Sequence, residues 1–416
     1  MTPSLHAIAT EARAASRVVA SLHTAKKNAL LLDLAARLRY AKHDVLRASE
    51  ADVARATQQG LAPAKLARLA LTPASLEQLA EGLEAVAALP DPVGQVTDER
   101  VVPNGTRVRR VRIPLGVIAM IYESRPGVTL DAFALCFKSG NSVLLKGGRE
   151  AAESNAALAS LVHTSLQAAH LPTACLADLT AISREQVREL LGLSGLIDLV
   201  IPRGGEELIR SVLEHSKIPT IQHFKGVCHV FVHARANLAK AVEVCVNGKV
   251  SAPATCNATE CVLIDEAVAP SFIPVLAQAM HARGVSMRGC EACCAHSPLI
   301  ARADPSDYGT EFLAPILAMR VVPGMQAAIE HIHTFGSSHT EAILTDDDDA
   351  AQHFVRAVHA SCVLVNASTR LNDGFQLGLG AEIGISTSRL HAYGPMGLEE
   401  LTTRRFVVEG AYHQRS

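Results

Sequence analysis

From residue 114 onward, short apolar runs alternate with amphipathic stretches, and that alternation leaves few folds open. Residues 116–121, 142–146 and 196–201 each read as a buried strand, with helical stretches such as 151–169 between them. A second series follows Lys225: a strand at 227–232, a helix at 237–249, a strand at 261–264, a helix at 270–283 and a strand at 362–366. Wholly apolar strands separated by helices are βαβ units, whose parallel strands are covered on both faces. The fold class is therefore α/β. At 416 residues the chain exceeds one ordinary core, so two large domains are expected.

The first 90 residues read as helices, with apolar residues at helical spacing through 29–38. Thr72 is placed as an N-cap with Pro73 at the first helical position. Pro90-Asp91-Pro92-Val93-Gly94 ends the helical region. A hairpin follows. Its strands, 101–103 and 107–113, flank Asn104-Gly105, a dipeptide suited to a type I′ turn. The second strand alternates Arg with apolar residues, so one face is wet or meets a partner.

Composition excludes several classes. Net charge is −2 with both signs interspersed, which gives no footprint for nucleic acid and no polybasic anchor. No apolar run is long enough to span a bilayer. The first residues lack a basic region followed by an apolar block, so no secretory signal is expected. Ten irregularly spaced cysteines suit reduced thiols, and a cytoplasmic location is expected.

Several segments carry candidate chemistry. Cys256 stands between a Pro-containing loop, 250–255, and the apolar strand 261–264. It is either a held nucleophile or a small buried hydrophobe. Lys146-Gly147-Gly148-Arg149-Glu150 and Pro202-Arg203-Gly204-Gly205-Glu206 end two strands. Glycines there let a ligand approach, and the next helix offers free N–H groups to an anion; two tight turns without a ligand are the alternative. Gly378–Gly384 lacks the spacing of a dinucleotide loop and reads as a flexible loop near a site. Cys290, Cys293, Cys294 and His296 have metal-like spacing but no second distant pair, so a surface loop with incidental thiols is expected and no metal. Asp346–Asp349 complement the dipole of a helix over 350–358.

The order of these pieces resembles the aldehyde dehydrogenase superfamily, and within it the branch that reduces γ-glutamyl phosphate in proline biosynthesis. The matching segments include Asp91–Val96, Pro114–Ile118, Tyr122-Glu123-Ser124-Arg125-Pro126, Ser139-Gly140-Asn141 and Ile201–Gly205. They continue with Gly226-Val227-Cys228-His229, Val365–Arg370, Gly378–Glu382 and Gly394–Glu399. The resemblance implies a Rossmann-type cofactor domain over 1–100 and 114–227 with part of 367–398. It implies an α/β catalytic domain over 228–366, and a small β oligomerisation flap made of 101–113 and 399–416.

The resemblance also implies roles. Cys256 falls on the family's nucleophile, which would expel phosphate from an acyl phosphate and be reduced from the thioester. Asn257 lies beside it. Lys146, Gly148, Arg149, Gly204 and Gly205 fall on the cofactor side, and Glu311 and Phe312 match a segment that holds the nicotinamide ribose. Arg149 replaces a carboxylate that would repel a 2′-phosphate, which points to NADPH. Arg125, Asn366, Ser368 and Thr369 fall among substrate-binding positions. His223 stands where hydrolytic relatives place a water-activating glutamate, so reduction of an activated acid is favoured. A homodimer or homotetramer is implied, with a possible transient contact to glutamate 5-kinase.

Three positions depart from the family. Gly127 replaces an asparagine expected to donate to the oxyanion, Ala252 replaces an arginine before Pro253, and Tyr393 replaces another arginine. A paralogue acting on a related acyl phosphate, or a non-catalytic partner of the upstream kinase, are the alternative readings.

Overall fold

The computed structural model describes residues 3–415. The chain divides into two compact units. The first runs up to Gln222 and regains Leu379–Gly384 and the segment from Met396 onward; the second holds His223–Gly378 and Ile385–Pro395.

The first unit opens with five helices: α1 (Leu5–Ala20), α2 (Thr24–Tyr40), α3 (Lys42–Gln58), α4 (Pro63–Leu69) and α5 (Pro73–Ala88). Thr72 caps α5 as expected. Its hydroxyl accepts from the Ser75 N–H, the Ser75 hydroxyl accepts from the Thr72 N–H, and Pro73 occupies the first turn. The break after α5 is held from below. Lys27, with a fully buried ammonium, pairs with Asp91 at 2.9 Å and also donates to the Lys138 carbonyl at 3.1 Å.

There follow β1 (Val96–Val101), β2 (Arg107–Pro114), β3 (Val117–Tyr122), α6 (Val128–Lys138), β4 (Ser142–Lys146), α7 (Ala152–Ala168), β5 (Leu176–Asp178), α8 (Arg184–Leu191), β6 (Leu199–Arg203) and α9 (Glu206–His215). Strands β5-β4-β3-β6 form a parallel sheet in that order. All six residues of β3 are buried, because a central parallel strand is covered on both faces.

The β1–β2 hairpin forms, but its turn differs from the expected one. A type I′ turn needs positive φ at both Asn104 and Gly105, and only Gly105 has it, at +86°. The Val102 N–H donates to the Thr106 carbonyl at 2.9 Å, closing a three-residue loop, Pro103-Asn104-Gly105. Proline fixes the negative φ of a type I turn at its first central position, and Gly105 then takes the left-handed position.

The second unit contains β7 (Cys228–Val232), α10 (Leu238–Val250), β8 (Thr259–Asp265), α11 (Ala269–His281), β9 (Ser286–Gly289), α12 (Glu291–His296), β10 (Ile300–Arg302), β11 (Ile316–Val322), α13 (Met325–Phe335), β12 (Thr340–Leu344), α14 (Asp348–Ala357) and β13 (Cys362–Val365). Seven parallel strands run in the order β10-β9-β11-β8-β7-β12-β13. One apolar cluster packs α11 around Phe272 and Leu276 against the sheet, and another packs α13 and α14 around Ile329 and Phe354. Asp347 caps α14 by accepting from the Ala350 N–H at 3.0 Å, the structural role expected for the aspartate run. The Cys290 segment is a correction: instead of a loop, residues 291–296 form α12 with Cys290 as its N-cap.

The remaining strands are β14 (Gly384–Ser386), β15 (Gly394–Met396) and β16 (Thr402–Glu409). β14 and β15 pair as a short ribbon, and β16 joins β2 antiparallel, giving a three-stranded sheet β1-β2-β16.

Lys27→Ala would leave Asp91 buried without its cation. The expected cost is about 3–5 kcal/mol, read as a lowered first unfolding transition, while Lys26→Ala on the exposed side of α2 leaves that transition in place.

Candidate active site

Cys256 lies in the second unit, half-buried, in the turn between α10 and β8. The two flanking elements are locked together by Lys249 and Glu260, an ion pair 2.5 Å long with both side chains buried. Burial pushes the Glu260 carboxyl up to about 7, against the pull of Lys249.

Both neighbours of Cys256 are held by one arginine. The Arg370 guanidinium donates to the Thr255 hydroxyl at 2.9 Å and to the Asn257 carboxamide oxygen. The Asn257 amide nitrogen donates to the Asn372 carbonyl at 3.0 Å. Asn257 thus acts on the loop that carries the thiol, with its side chain turned inward.

The backbone of Cys256 rests on Gly226. A Cβ at residue 226 would lie 1.8 Å from the Cys256 carbonyl oxygen and 2.6 Å from its carbon. The Cys228 thiol donates to the same carbonyl at 3.2 Å. The Gly226 N–H donates to Glu311 at 2.9 Å, so Glu311 braces the glycine, and the Arg288 guanidinium lies over the Phe312 ring at 5.4 Å.

Two imidazoles complete the cluster. Donor atoms of His223, Cys256 and His339 all lie within 4.8 Å of one another, at the amino ends of β7, β8 and β12. His223 Nδ1 lies 3.0 Å from the Ile385 carbonyl, which can only accept; Nδ1 therefore carries the proton and Nε2 the lone pair. Burial, reinforced by His223, pushes His339 down to about 3, so it stays neutral. Its Nε2 is buried and has no partner among the described residues. His339 was missed in the sequence. Its signal was a histidine directly ahead of residues 340–344, which begin Thr340-Glu341 and were not recognised as a strand.

The expected substrate residues separate. Asn366 exchanges two hydrogen bonds of 2.8 Å with the Thr345 backbone, which consumes its carboxamide. Thr369 is buried and meets the Thr259 hydroxyl at 3.0 Å. The Ser368 hydroxyl accepts from the Arg370 N–H at 3.3 Å. These three shape the segment that presents Arg370, a residue the sequence reading did not single out as part of the site. Arg125 lies in the first unit, exposed, just before α6. Gly127 caps α6 there, and a Cβ on it would sit 3.2 Å from a Leu79 methyl.

Four of the five expected cofactor residues of the first unit line one cleft of about 950 Å³ beyond the carboxyl ends of β3, β4 and β6, and Gly204 does not. Lys146, Gly148, Arg149 and Gly205 all border it. Burial, with help from Arg149, lowers the Lys146 ammonium, which donates to the Gly147 carbonyl at 2.6 Å. Glu150 accepts from the Ser124 N–H and hydroxyl at 2.8 and 2.7 Å. Burial opposes its charge, yet those bonds hold its carboxyl below the usual range. A Cβ on Gly148 would lie 2.1 Å from Glu150, whereas one on Gly205 would meet nothing within 4 Å. Gly204 is needed for packing, since a Cβ there would lie 2.6 Å from Leu208.

Gly226→Ala must push the Cys256 backbone away. A displacement of ~1 Å at a reacting atom costs roughly a hundredfold in rate. Turnover is expected to fall by at least that factor, with the far-ultraviolet circular dichroism unchanged.

The model of the aldehyde dehydrogenase family matches residues 3–304. The chain is 50% identical over 408 residues to γ-glutamyl phosphate reductase of Xylella fastidiosa, covering 98% of this chain and 94% of that one. It is 50% identical over 407 residues to the enzyme of that name from Xanthomonas campestris pv. campestris, covering 98% of each. The crystal structure of γ-glutamyl phosphate reductase from Thermotoga maritima superposes with a TM-score of 0.97 at 41% identity, covering 100% of both chains. An acetylating aldehyde dehydrogenase from Geobacillus thermoglucosidasius, at 17% identity and a TM-score of 0.68, shares the fold. The chain belongs to the aldehyde dehydrogenase family and, within it, to the γ-glutamyl phosphate reductases.

Proposed function

We propose that this chain reduces γ-glutamyl phosphate to glutamate 5-semialdehyde and phosphate, with NADPH as reductant and Cys256 as the acyl carrier. The observation that carries the reading is the thiol of Cys256 beside an imidazole whose lone pair is set by the Ile385 carbonyl. His223 takes the thiol proton, and the sulfur attacks the acyl carbon. The Cys256 N–H steadies the oxyanion, in place of the side chain that Gly127 lacks. Phosphate leaves and the acyl group stays as a thioester. The nicotinamide, when bound, supplies the hydride. The tetrahedral oxyanion then re-forms a carbonyl and expels the thiolate, which the imidazolium of His223 stabilises. An imidazolium that already carries the thiol's proton cannot accept one from water, so hydrolysis of the thioester is disfavoured.

Lys146, Gly148, Arg149, Gly204 and Gly205 would hold the cofactor, with Glu311 and Phe312 toward its nicotinamide ribose. The open backbone at Gly205, at the N-terminus of α9, suits an anion. Arg149 is exposed at a cleft bordered by Lys65, Arg184 and Arg188 and also by Glu123, Glu150, Glu185 and Glu207, so the case for a 2′-phosphate rests on Arg149 itself. In this reading residues 1–100 and 114–227 form the cofactor domain, 228–366 the catalytic domain, and 101–113 with 399–416 the flap. Exposed Val101, Phe406 and Val408 on the β1-β2-β16 sheet support assembly there into a homodimer or homotetramer. A transient contact with glutamate 5-kinase would shorten the exposure of a labile acyl phosphate.

Oxidation of glutamate 5-semialdehyde by NADP⁺ should require phosphate or arsenate. Steady formation of glutamate without either anion would show that water resolves the thioester and would overturn the reading. Cys256→Ser should lose at least ~10³-fold in turnover and still bind cofactor.

Arg149→Glu should move the ratio of kcat/KM for NADPH over NADH down by roughly 10–100-fold, as expected for exchanging an attractive charge for a repulsive one. An unchanged ratio would remove Arg149 from the 2′-phosphate site.

A further inference from the structure

Away from Cys256, the second unit holds a pair of thiols that the proposed reaction does not use. β9 ends at Gly289, Cys290 caps α12, and α12 leads into β10, which lies parallel beside β9. This strand–Cys-x-x-Cys–helix order is the local arrangement in which dithiols exchange with disulfides.

The geometry is specific. Cys290 Sγ and Cys293 Sγ lie 3.6 Å apart. The Val321 N–H donates to Cys290 Sγ at 3.4 Å, and the Cys290 thiol donates to Cys293 Sγ. Cys290 is half-exposed, and Cys293 is fully buried. Gly289 makes room for the buried member, since a Cβ there would lie 2.6 Å from the Cys293 Cβ. Cys294 turns to the Gly289 carbonyl at 3.6 Å. Among the described residues, no third His, Cys or carboxylate ligand atom joins the pair within 4.8 Å, and zinc sites need more donors than two.

We propose that Cys290 and Cys293 form a redox-active dithiol that closes to an intramolecular disulfide by exchange with a small disulfide such as oxidised glutathione. The Cys290 thiolate attacks one sulfur of glutathione disulfide and displaces one glutathione thiolate. Cys293 then gives up its proton and attacks the Cys290 sulfur, displacing the second. The protein loses two electrons and two protons, and two molecules of reduced glutathione form. The asymmetry of the pair favours this order. Cys290 is within reach of solvent and Cys293 is not, and the bond between the two sulfurs, with the Val321 N–H, pushes the Cys290 thiol down to about 5 against burial, while the same bond and burial push Cys293 up. Closing takes the sulfurs from 3.6 Å to bonding distance; residues three apart on a helix have Cβ atoms ~5–6 Å apart and a disulfide needs ~3.5–4.5 Å, so the first turn of α12 must tighten as the bond forms.

The test uses the full chain carrying Cys256→Ser, equilibrated in glutathione buffers of graded ratio, acid-quenched and alkylated. Cleavage after Arg288 and Arg302 releases one peptide with all three cysteines, and cleavage after Glu291 separates Cys290 from the other two. The expected result is a peptide two hydrogens lighter whose halves stay joined after the second cleavage. Cys294→Ser should retain the link and Cys290→Ser should lose it. Cys293→Ser should trap Cys290 as its glutathione adduct, with Cys293→Ala as the same readout if the serine variant fails to fold. Cys290 should also react with glutathione disulfide at least ~10-fold faster than Cys294. The proposal is overturned if the halves separate at every ratio, if Cys294→Ser abolishes the link, or if Cys293→Ser leaves Cys290 unmodified.

Discussion

A side chain at residue 226 cannot coexist with the backbone at residue 256, and the surroundings of Cys256 in the second unit are organised around that contact. Glycine lets the segment entering β7 lie directly against the turn entering β8. Once it does, the Cys228 thiol reaches the Cys256 carbonyl and the Gly226 N–H reaches Glu311. From the other side Arg370 grips Thr255 and Asn257, and Asn372 holds Asn257 again. The cysteine backbone is thus fixed from below and on both flanks, which leaves the thiol little freedom. A bimolecular attack becomes a near-unimolecular one only when the attacking atom is held in this way.

The two units place their chemistry at opposite ends of parallel sheets. In the first, the cleft lies beyond the carboxyl ends of β3, β4 and β6, where α8 and α9 begin. Helix N-termini supply unpaired N–H groups there, the cheapest cradle for a phosphate. In the second, His223, Cys256 and His339 sit at the amino ends of β7, β8 and β12. A thiol nucleophile needs no anion cradle. It needs a lone pair nearby and a rigid strand behind it, and β8 is buried along its whole length.

The sequence made the α/β class, the helical start, the Thr72 cap and the order of most strands legible, because period and capping are local properties. Motif order put Cys256 and the glycine turns at strand ends, which is where they lie. Asn366 and Thr369 were visible only as polar residues in a matching run; what they touch, Thr345 and Thr259, depends on a return of the chain that no local pattern encodes. Arg370 was hidden for the same reason, since its partners lie more than a hundred residues earlier. His339 was hidden because β12, Thr340–Leu344, begins with Thr340 and Glu341, and polar residues there disguise a wholly buried strand. The hairpin turn was misread because proline at its first central position outweighs the Asn-Gly preference.

A second cluster of the same composition shows why environment decides the chemistry. Donor atoms of His229, Cys261 and His331 also gather within 4.8 Å, all buried. The Cys261 thiol is pushed up by burial, and His331 is pushed down to about 3 by burial and the positive groups around it. Arg320, which can only donate, lies 3.0 Å from His331 Nδ1 and keeps the ring proton on Nε2, facing Cys261. A metal at that Nε2 would have to displace the proton while the arginine still claimed Nδ1. A proton leaving Cys261 would have no lone pair on His331 to receive it. In the other cluster the donor to a carbonyl is His223 Nδ1, so the lone pair sits on the opposite nitrogen. The lone pair falls on opposite nitrogens of the two rings, and the difference lies in whether the neighbour of Nδ1 accepts or donates.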